Sequence, residues 1–194
     1  MSNQVEIINQ LIKERRSIFP PSYTDQPIAD KEIQQILENA NYAPTHKLTQ
    51  PWRFTVFKGA GLIKLADFMG EIYKAATPIE AFSQTKYDIT RNKIIQSGAV
   101  ISIQVKYHSH LLPEWEELAA TATAVQNMWL TASAYGIGAY WSTPTNALQP
   151  LTTWLNLHED EKCIGLFYMG YHANAAIPPA RRSSVESKTT WITE

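Results

Sequence analysis

The sequence contains one cysteine, Cys163, in 194 residues, so neither an intrachain disulfide nor a cysteine-built zinc cage is possible. One thiol in a chain of this length fits a reducing compartment, and the cytoplasm is the expected location. Charge of one sign is missing too. Seventeen Lys+Arg against eighteen Asp+Glu leave a formal charge of −1, and no field exists to gather nucleic acid or an anionic membrane. No apolar run approaches the ~18 residues of a membrane-spanning helix; the longest run from Ala99 to Val105 and from Cys163 to Tyr171. Glu6, Lys13, Glu14, Arg15 and Arg16 interrupt the apolar residues of the first segment, so no secretory leader is expected there. Internal repeats and low-complexity tracts are absent, and one domain over residues 1–194 with its own core is expected.

What is present is a mixture of helical and strand periodicities. Val5, Ile8, Leu11 and Ile12 recur at helical spacing, and the helix they predict ends in Arg15-Arg16-Ser17 before the pair Pro20-Pro21. Asp30 is the expected cap of a second helix with Ile33, Ile36, Leu37 and Ala40 on its apolar face. Trp52, Phe54 and Val56 alternate with polar residues as a strand with one buried face does. Leu62, Leu65, Ala66 and Met69 predict a third helix, and Pro78 to Ser97 reads as a covering helical segment. Ala99 to Val105 reads as a buried strand. Glu114 to Tyr135 is the longest helical candidate, with a stripe of Leu118, Ala122, Val125, Trp129, Ala132 and Tyr135 that predicts a central buried helix. Gly136-Ile137-Gly138 ends it, Ala139 to Thr143 extends to Pro144, and Cys163 to Tyr171 supplies a last strand. Helices and strands without strict βαβ alternation place the chain in the α+β class.

Several standard sites fail on spacing. Gly136 and Gly138 lack the third glycine of a dinucleotide fingerprint, whose place Trp141 holds, and no phosphate-binding GxxxxGK[ST] loop or GxSxG elbow exists. Cys163 reads as a small core residue rather than a nucleophile. His108 and His110 have no third ligand nearby, so no metal site is expected. Glu114, Glu116 and Glu117 suit a helix start, where carboxylates oppose the macrodipole.

Two segments carry more. Arg15 and Arg16 either complement the negative end of a helix or offer charge-assisted donors to an anion. The run from Ala43 to Phe54, with Pro44 and Pro51 framing Thr45 to Gln50, delivers a polar loop of little conformational freedom into an aromatic strand. Such a loop suits a planar polar ligand.

These pieces resemble the flavin-dependent nitroreductase family. The resemblance rests on Arg15-Arg16-Ser17, on Ala43-Pro44-Thr45 leading to Gln50-Pro51-Trp52-Arg53-Phe54, on Gln126-Asn127 with Gly136-Ile137-Gly138-Ala139, and on the strand from Gly165 to Gly170, in that order over nearly the whole length. His46 with Gln50 is similar to the small single-domain branch. The resemblance implies a mostly antiparallel central sheet flanked by helices in an intertwined homodimer, with one FMN in each of two clefts shared by both chains. It implies that Arg15, Arg16 and Ser17 bind phosphate and ribityl oxygens, that Gln50 and His46 meet the isoalloxazine edge, and that Trp141-Ser142-Thr143 is a further flavin segment. Arg182, and with it Arg181, is either a second phosphate cation or a solvated pair.

The implied reaction is reduction of FMN by NADH or NADPH at N5, followed by transfer to a small planar acceptor such as a nitroaromatic or quinone. The flavin carries the chemistry, and no side-chain general base is needed. Phe82 and Tyr87 of the covering segment are either stacking groups over the flavin or core residues. Leu48 and Ser142 depart from the asparagine and arginine that many members carry at those places, which implies altered contacts there. A flavin-binding protein with little turnover, or a different flavin reaction such as reductive dehalogenation, are the other readings of the same site.

Overall fold

Two long apolar runs organise the molecule. The computed structural model of the chain describes residues 2–173 and 180–194, and in it those runs become the two inner strands of a four-stranded sheet. The elements follow in chain order as α1 Ser2–Glu14, α2 Asp30–Ala40, β1 Trp52–Phe57, α3 Ala60–Ala75, α4 Gln84–Ile95, β2 Ala99–Lys106, α5 Glu114–Ala134, β3 Ile137–Ser142, α6 Thr145–Trp154 and β4 Glu161–Tyr171. The strand order is β1-β2-β4-β3, antiparallel throughout. Register is set by pairs such as Phe54↔Ile103, Ile101↔Phe167 and Ala139↔Met169.

Successive residues of a strand point to opposite faces, so a strand covered on both sides is apolar except where a buried polar group finds a partner. β4 is such an apolar run from Cys163 to Tyr171, and in β2 the buried Ser102 and Gln104 are the exceptions: Gln104 donates to Ser102 and Thr55, and Ser102 Oγ lies 3.4 Å from Cys163 Sγ. Ile101, Ile103, Phe167 and Met169 meet Ile33 and Ile36 of α2 and Val125 and Met128 of α5 on one face. Val100, Leu166 and Tyr168 meet Leu65 and Met69 of α3, Ile94 of α4 and Leu151 of α6 on the other. Cys163 is buried on this second side, and burial pushes its thiol pKa up, which leaves it inert as a nucleophile.

Four expectations need correction. Asp30 is the first residue of α2 rather than its cap: the N-cap is Ala29, whose N–H donates to Glu32 Oε2 at 2.8 Å, while Asp30 pairs with Lys58. Val56 is exposed and Phe57, which points to the opposite face of β1, is buried instead in the core that holds Leu62 and Leu65 of α3. The stripe read along α5 coincides with the face that the helix buries only at Val125 and Ala132. Glu117, Thr121, Ala124, Val125, Met128 and Ala132 face the protein, whereas Leu118 and Tyr135 are 42% and 40% exposed. Small residues let α5 approach the sheet closely, and larger ones are left on the flank. Finally, the extended segment predicted from Ala139 to Thr143 begins earlier, at Ile137, and ends at Ser142.

The end of β4 is tied to α2 by a hydrogen bond of 2.7 Å from the Tyr171 hydroxyl to Glu32 Oε1. That bond, then the one from Ala29, holds the Glu32 carboxyl below its usual range. Hydrogen bonds that favour the ionised form in the folded chain add stability above the ordinary carboxylate pKa, and this is lost as pH falls through the depressed folded value. Tyr171→Phe is therefore expected to be less stable than the parent chain near neutrality, with the difference closing as the pH is lowered through the carboxylate range. Denaturant titrations at several pH values check this; a gap independent of pH contradicts it.

Candidate functional site

The first candidate segment is positioned by a strand edge. β3 has β4 on one side only, and the chain leaving α1 covers part of its other side. The Ile18 N–H donates to Ala139 O at 3.0 Å, and Ser17 forms a parallel bridge with Ala139. A glycine is required opposite: a Cβ on Gly138 would stand 2.7 Å from Ile18 Cγ2. Arg15 and Arg16 are thereby fixed at the junction of α1, β3 and the end of α5.

Arg15 is partly buried, with its guanidinium carbon 4.3 Å from the centroid of the Trp129 ring on α5. Its Nη1 is shielded from solvent and meets no hydrogen-bond acceptor among the described residues. Burial lowers its pKa, and the positive charges of Arg182 and Arg16 lower it further. A desolvated guanidinium flanked by two cations, with an orphaned donor, is a group whose unmet hydrogen bond an anion can satisfy. Arg16 Nη1 donates to the carbonyls of Lys13 and Arg15 at 2.5 and 2.8 Å, which fixes its side chain. Arg182 lies on the exposed tail, its Nη1 donating to Arg181 O at 2.8 Å. A cleft of 270 Å³ adjoins the cluster, lined by Leu11, Arg15, Arg16, Ser133, Gly138 and His172.

The second candidate segment is a tight turn. His46–Leu48 forms a single 3-10 turn, and Lys47, Leu48 and Gln50 have φ of +50°, +56° and +43°. Thr45 Oγ1 accepts the Gln50 N–H at 3.1 Å and lies 3.3 Å from Thr49 Oγ1, which closes the loop on itself. His46 Nδ1 is 2.7 Å from Glu116 Oε2 on α5. The Gln50 carbonyl accepts from Arg53 at 2.8 Å, and the residue as a whole is exposed, as is Leu48 at 79%.

The third segment is divided. The Trp141 indole stands in the gap left by Gly165, where a Cβ would fall on its Nε1, so its ring is committed to packing across the sheet. Ser142 pairs with Leu166 at the end of β3, and Thr143 is exposed just beyond.

The fold brings Arg15, Arg16 and Ser17 together beside β3, with Arg182 near enough to Arg15 for their charges to repel. It does not bring the Thr45–Gln50 loop to them within one chain. Glu116, which holds the loop, and Trp129, which holds Arg15, lie about 20 Å apart along α5 at ~1.5 Å per residue. Phe82 and Tyr87 pack against each other and Phe82 against Tyr73, at 6.2 and 5.8 Å between centroids.

Sequence reasoning passed over a row of groups on the far side of β3. The Phe19 ring lies 4.9 Å from Tyr140, which stacks on Tyr168 at 4.8 Å. Lys93 Nζ lies 5.6 Å from the centre of the Tyr168 ring. Lys93 makes no ion pair among the described residues, burial lowers its pKa, and it lines a 340 Å³ cleft with Tyr73, Thr90 and Thr145. One signal was available. Lys93 has no acidic residue three or four positions away on its helix, where Ile89, Thr90, Gln96 and Ser97 stand.

With this geometry in place, the sequence profile of the nitroreductase family matches residues 12–171. The chain belongs to that family. The match opens within α1 and closes at the last residue of β4, so every segment above except Arg181 and Arg182 lies inside it. Among relatives, the chain is 30% identical over 143 residues to YdjA of Escherichia coli, a protein named as a candidate NAD(P)H nitroreductase, covering 72% of this chain and 75% of that one. Among solved structures, a nitroreductase-like family protein from Bacillus cereus superposes with a TM-score of 0.81 at 25% identity, covering 96% of each chain. A nitroreductase-family structure from Desulfovibrio desulfuricans, in complex with FMN, superposes at 0.69 and 25% identity, covering 96% of this chain and 98% of that one.

The position of the cation cluster depends on the approach at Gly138. Gly138→Ala is expected to push Ile18 off β3 and to cost about 1–3 kcal/mol, as overpacking of a close contact does. Thermal melts, together with loss of the protection of the Ile18 amide from hydrogen exchange, check this; an unchanged Ile18 amide contradicts it.

Proposed function

We propose that the protein is an FMN-dependent NAD(P)H oxidoreductase that passes two electrons in turn from a nicotinamide to a small planar acceptor of the nitroaromatic or quinone type. The observation that carries this reading is the orphaned Nη1 of Arg15, a buried donor beside two further cations. Leaving such a donor unmade is costly, and a phosphate oxygen satisfies it with a charge-assisted bond. The FMN held by the Desulfovibrio relative and the name of YdjA support the choice of cofactor and reductant.

FMN, when bound, supplies the hydride-accepting and hydride-donating chemistry that no side chain here has. The residues then have distinct tasks. Arg15 and Arg182 hold the phosphate, Arg16 holds the turn in shape through Lys13 O, and Ser17 offers a hydroxyl to phosphate or ribityl oxygens. Phe19 and Tyr140 offer an aromatic wall, and Lys93 offers an unpaired cation to the electron-rich edge of a reduced ring. Gln50 presents an exposed amide whose donor and acceptor match a ring edge of alternating polarity.

A second copy of the chain completes the site in this reading. The loop and the cation cluster sit about 20 Å apart along one α5, so a partner's loop must supply the contacts that the chain's own loop cannot reach. The apolar residues left open support such an assembly: Val5, Ile8 and Ile12 on α1, with Trp115 and Leu118 on α5, the last four 45%, 50%, 67% and 42% exposed. A 520 Å³ cleft between α1, α2 and the C-terminal half of α5 has Ile8 in its lining.

The purified protein is expected to be a dimer by light scattering and to quench added FMN. Arg15→Ala is expected to weaken FMN by 10- to 100-fold, the equivalent of a lost charged hydrogen bond of ~1.5–3 kcal/mol; a fluorescence titration that returns the parent affinity removes Arg15 from the site. Lys93→Met is expected to lower the two-electron midpoint potential of bound FMN by about 30 mV or more, ~1.4 kcal/mol in that couple. Unchanged potential separates Lys93 from the ring. Bleaching by NADH or NADPH and recovery with a nitroaromatic test the turnover; a flavin that binds but stays oxidised leaves a binding protein only.

A further inference from the structure

The Thr45–Gln50 loop holds an unfavourable backbone without a glycine. Left-handed φ at three of four successive non-glycine residues persists only where surrounding contacts over-determine it. The internal bonds from Thr45 shape the loop but do not anchor it to the body of the protein. The anchors are side chains. Lys47 Nζ donates to Leu111 O at 3.1 Å, and His46 faces Glu116 at 2.7 Å. A carboxylate only accepts, so His46 Nδ1 carries the proton of that bond.

The next residue along α5 completes the arrangement. Glu117 is 1% exposed and accepts the His108 N–H at 2.6 Å, while its other oxygen lies 2.7 Å from His108 Nδ1. His108 O in turn accepts the N–H groups of Leu111 and Leu112. Two successive carboxylates in one helical turn therefore reach in two directions. Glu117 fixes the segment that supplies Leu111 O, and Glu116 fixes the loop that Lys47 binds to that segment.

We propose that Glu116 is a positioning residue for cofactor binding: through His46 it latches the Thr45–Gln50 loop in the left-handed conformation that presents Gln50. His46 is then the latch and not itself a ligand of the ring. The inference rests on the proposed function for what the loop meets, while the latch itself is a statement about this chain. His46 and Glu116 are 59% and 24% exposed, and exposed pairs contribute little to global stability. The pair acts on the fraction of molecules whose loop is competent, and apparent affinity falls in proportion to that fraction.

The test is a fluorescence titration of FMN, paired with hydrogen exchange of the 45–50 amides in the FMN-free protein. Glu116→Ala is expected to weaken FMN about fivefold and to speed exchange in the loop with little change in melting temperature. Glu116→Gln loses the charge that favours the helix start but keeps an acceptor for His46, and is expected to recover most of both readouts. His46→Ala should match Glu116→Ala and add nothing when the two are combined. A further loss of affinity in the double variant would make His46 a direct ligand and overturn the latch. So would Glu116→Ala with parent affinity and parent exchange. If the parent protein takes up no FMN, the proposed function falls and the exchange arm alone decides the latch: faster loop exchange in Glu116→Ala supports it, and unchanged exchange overturns it.

Discussion

The cover that residues 15–18 lay over the free side of β3 is the constraint from which the site follows. An edge strand exposes unmade donors and acceptors, and here one of them is met by Ile18. The contact needs the bare backbone of Gly138, and it halts the chain just past α1. Arg15 is thereby driven onto the face of Trp129 rather than into water. A guanidinium so placed loses much of its hydration without gaining a carboxylate among the described residues, so the cover on β3 by itself leaves a shielded donor unmade.

Most of the fold was legible in the sequence because its signals were local. β4 announced itself as an unbroken apolar run and β2 as one broken only by Ser102 and Gln104, and the two-sided burial of inner strands is what such runs encode. Helices α1, α2, α3 and α5 carried helical spacing, and α5 stopped where glycine allowed it to. What failed was orientation. The α5 stripe shared Val125 and Ala132 with the face that meets the sheet but took Leu118, Trp129 and Tyr135 in place of Thr121, Ala124 and Met128, and periodicity does not tell a face that packs within a chain from one left for another surface.

The site was legible in part. Arg15 and Ser17 stood out as types, and the structure places Ser17 on the edge of β3 and Arg15 over the Trp129 ring. His46 stood out as well, but its partner lies seventy residues away on α5, a separation that no local pattern reports. Lys93 was missed because a lone lysine in a polar helix resembles solvated surface: its lack of an acidic neighbour along the helix is a weak signal, and burial against Tyr168 is what sets it apart. Trp141, read with the flavin segment, spends its ring on the gap at Gly165.

α5 carries both halves of the arrangement on one rigid rod, with the loop tied at Glu116 and the cation cluster seated on Trp129. A helix converts sequence spacing into both distance and angle, at ~1.5 Å and ~100° for every residue. Adding or deleting one residue between those two points would swing one attachment a quarter-turn or more around the axis relative to the other. That interval tolerates changes of side chain far better than changes of length, so within it the chain is calibrated like a ruler.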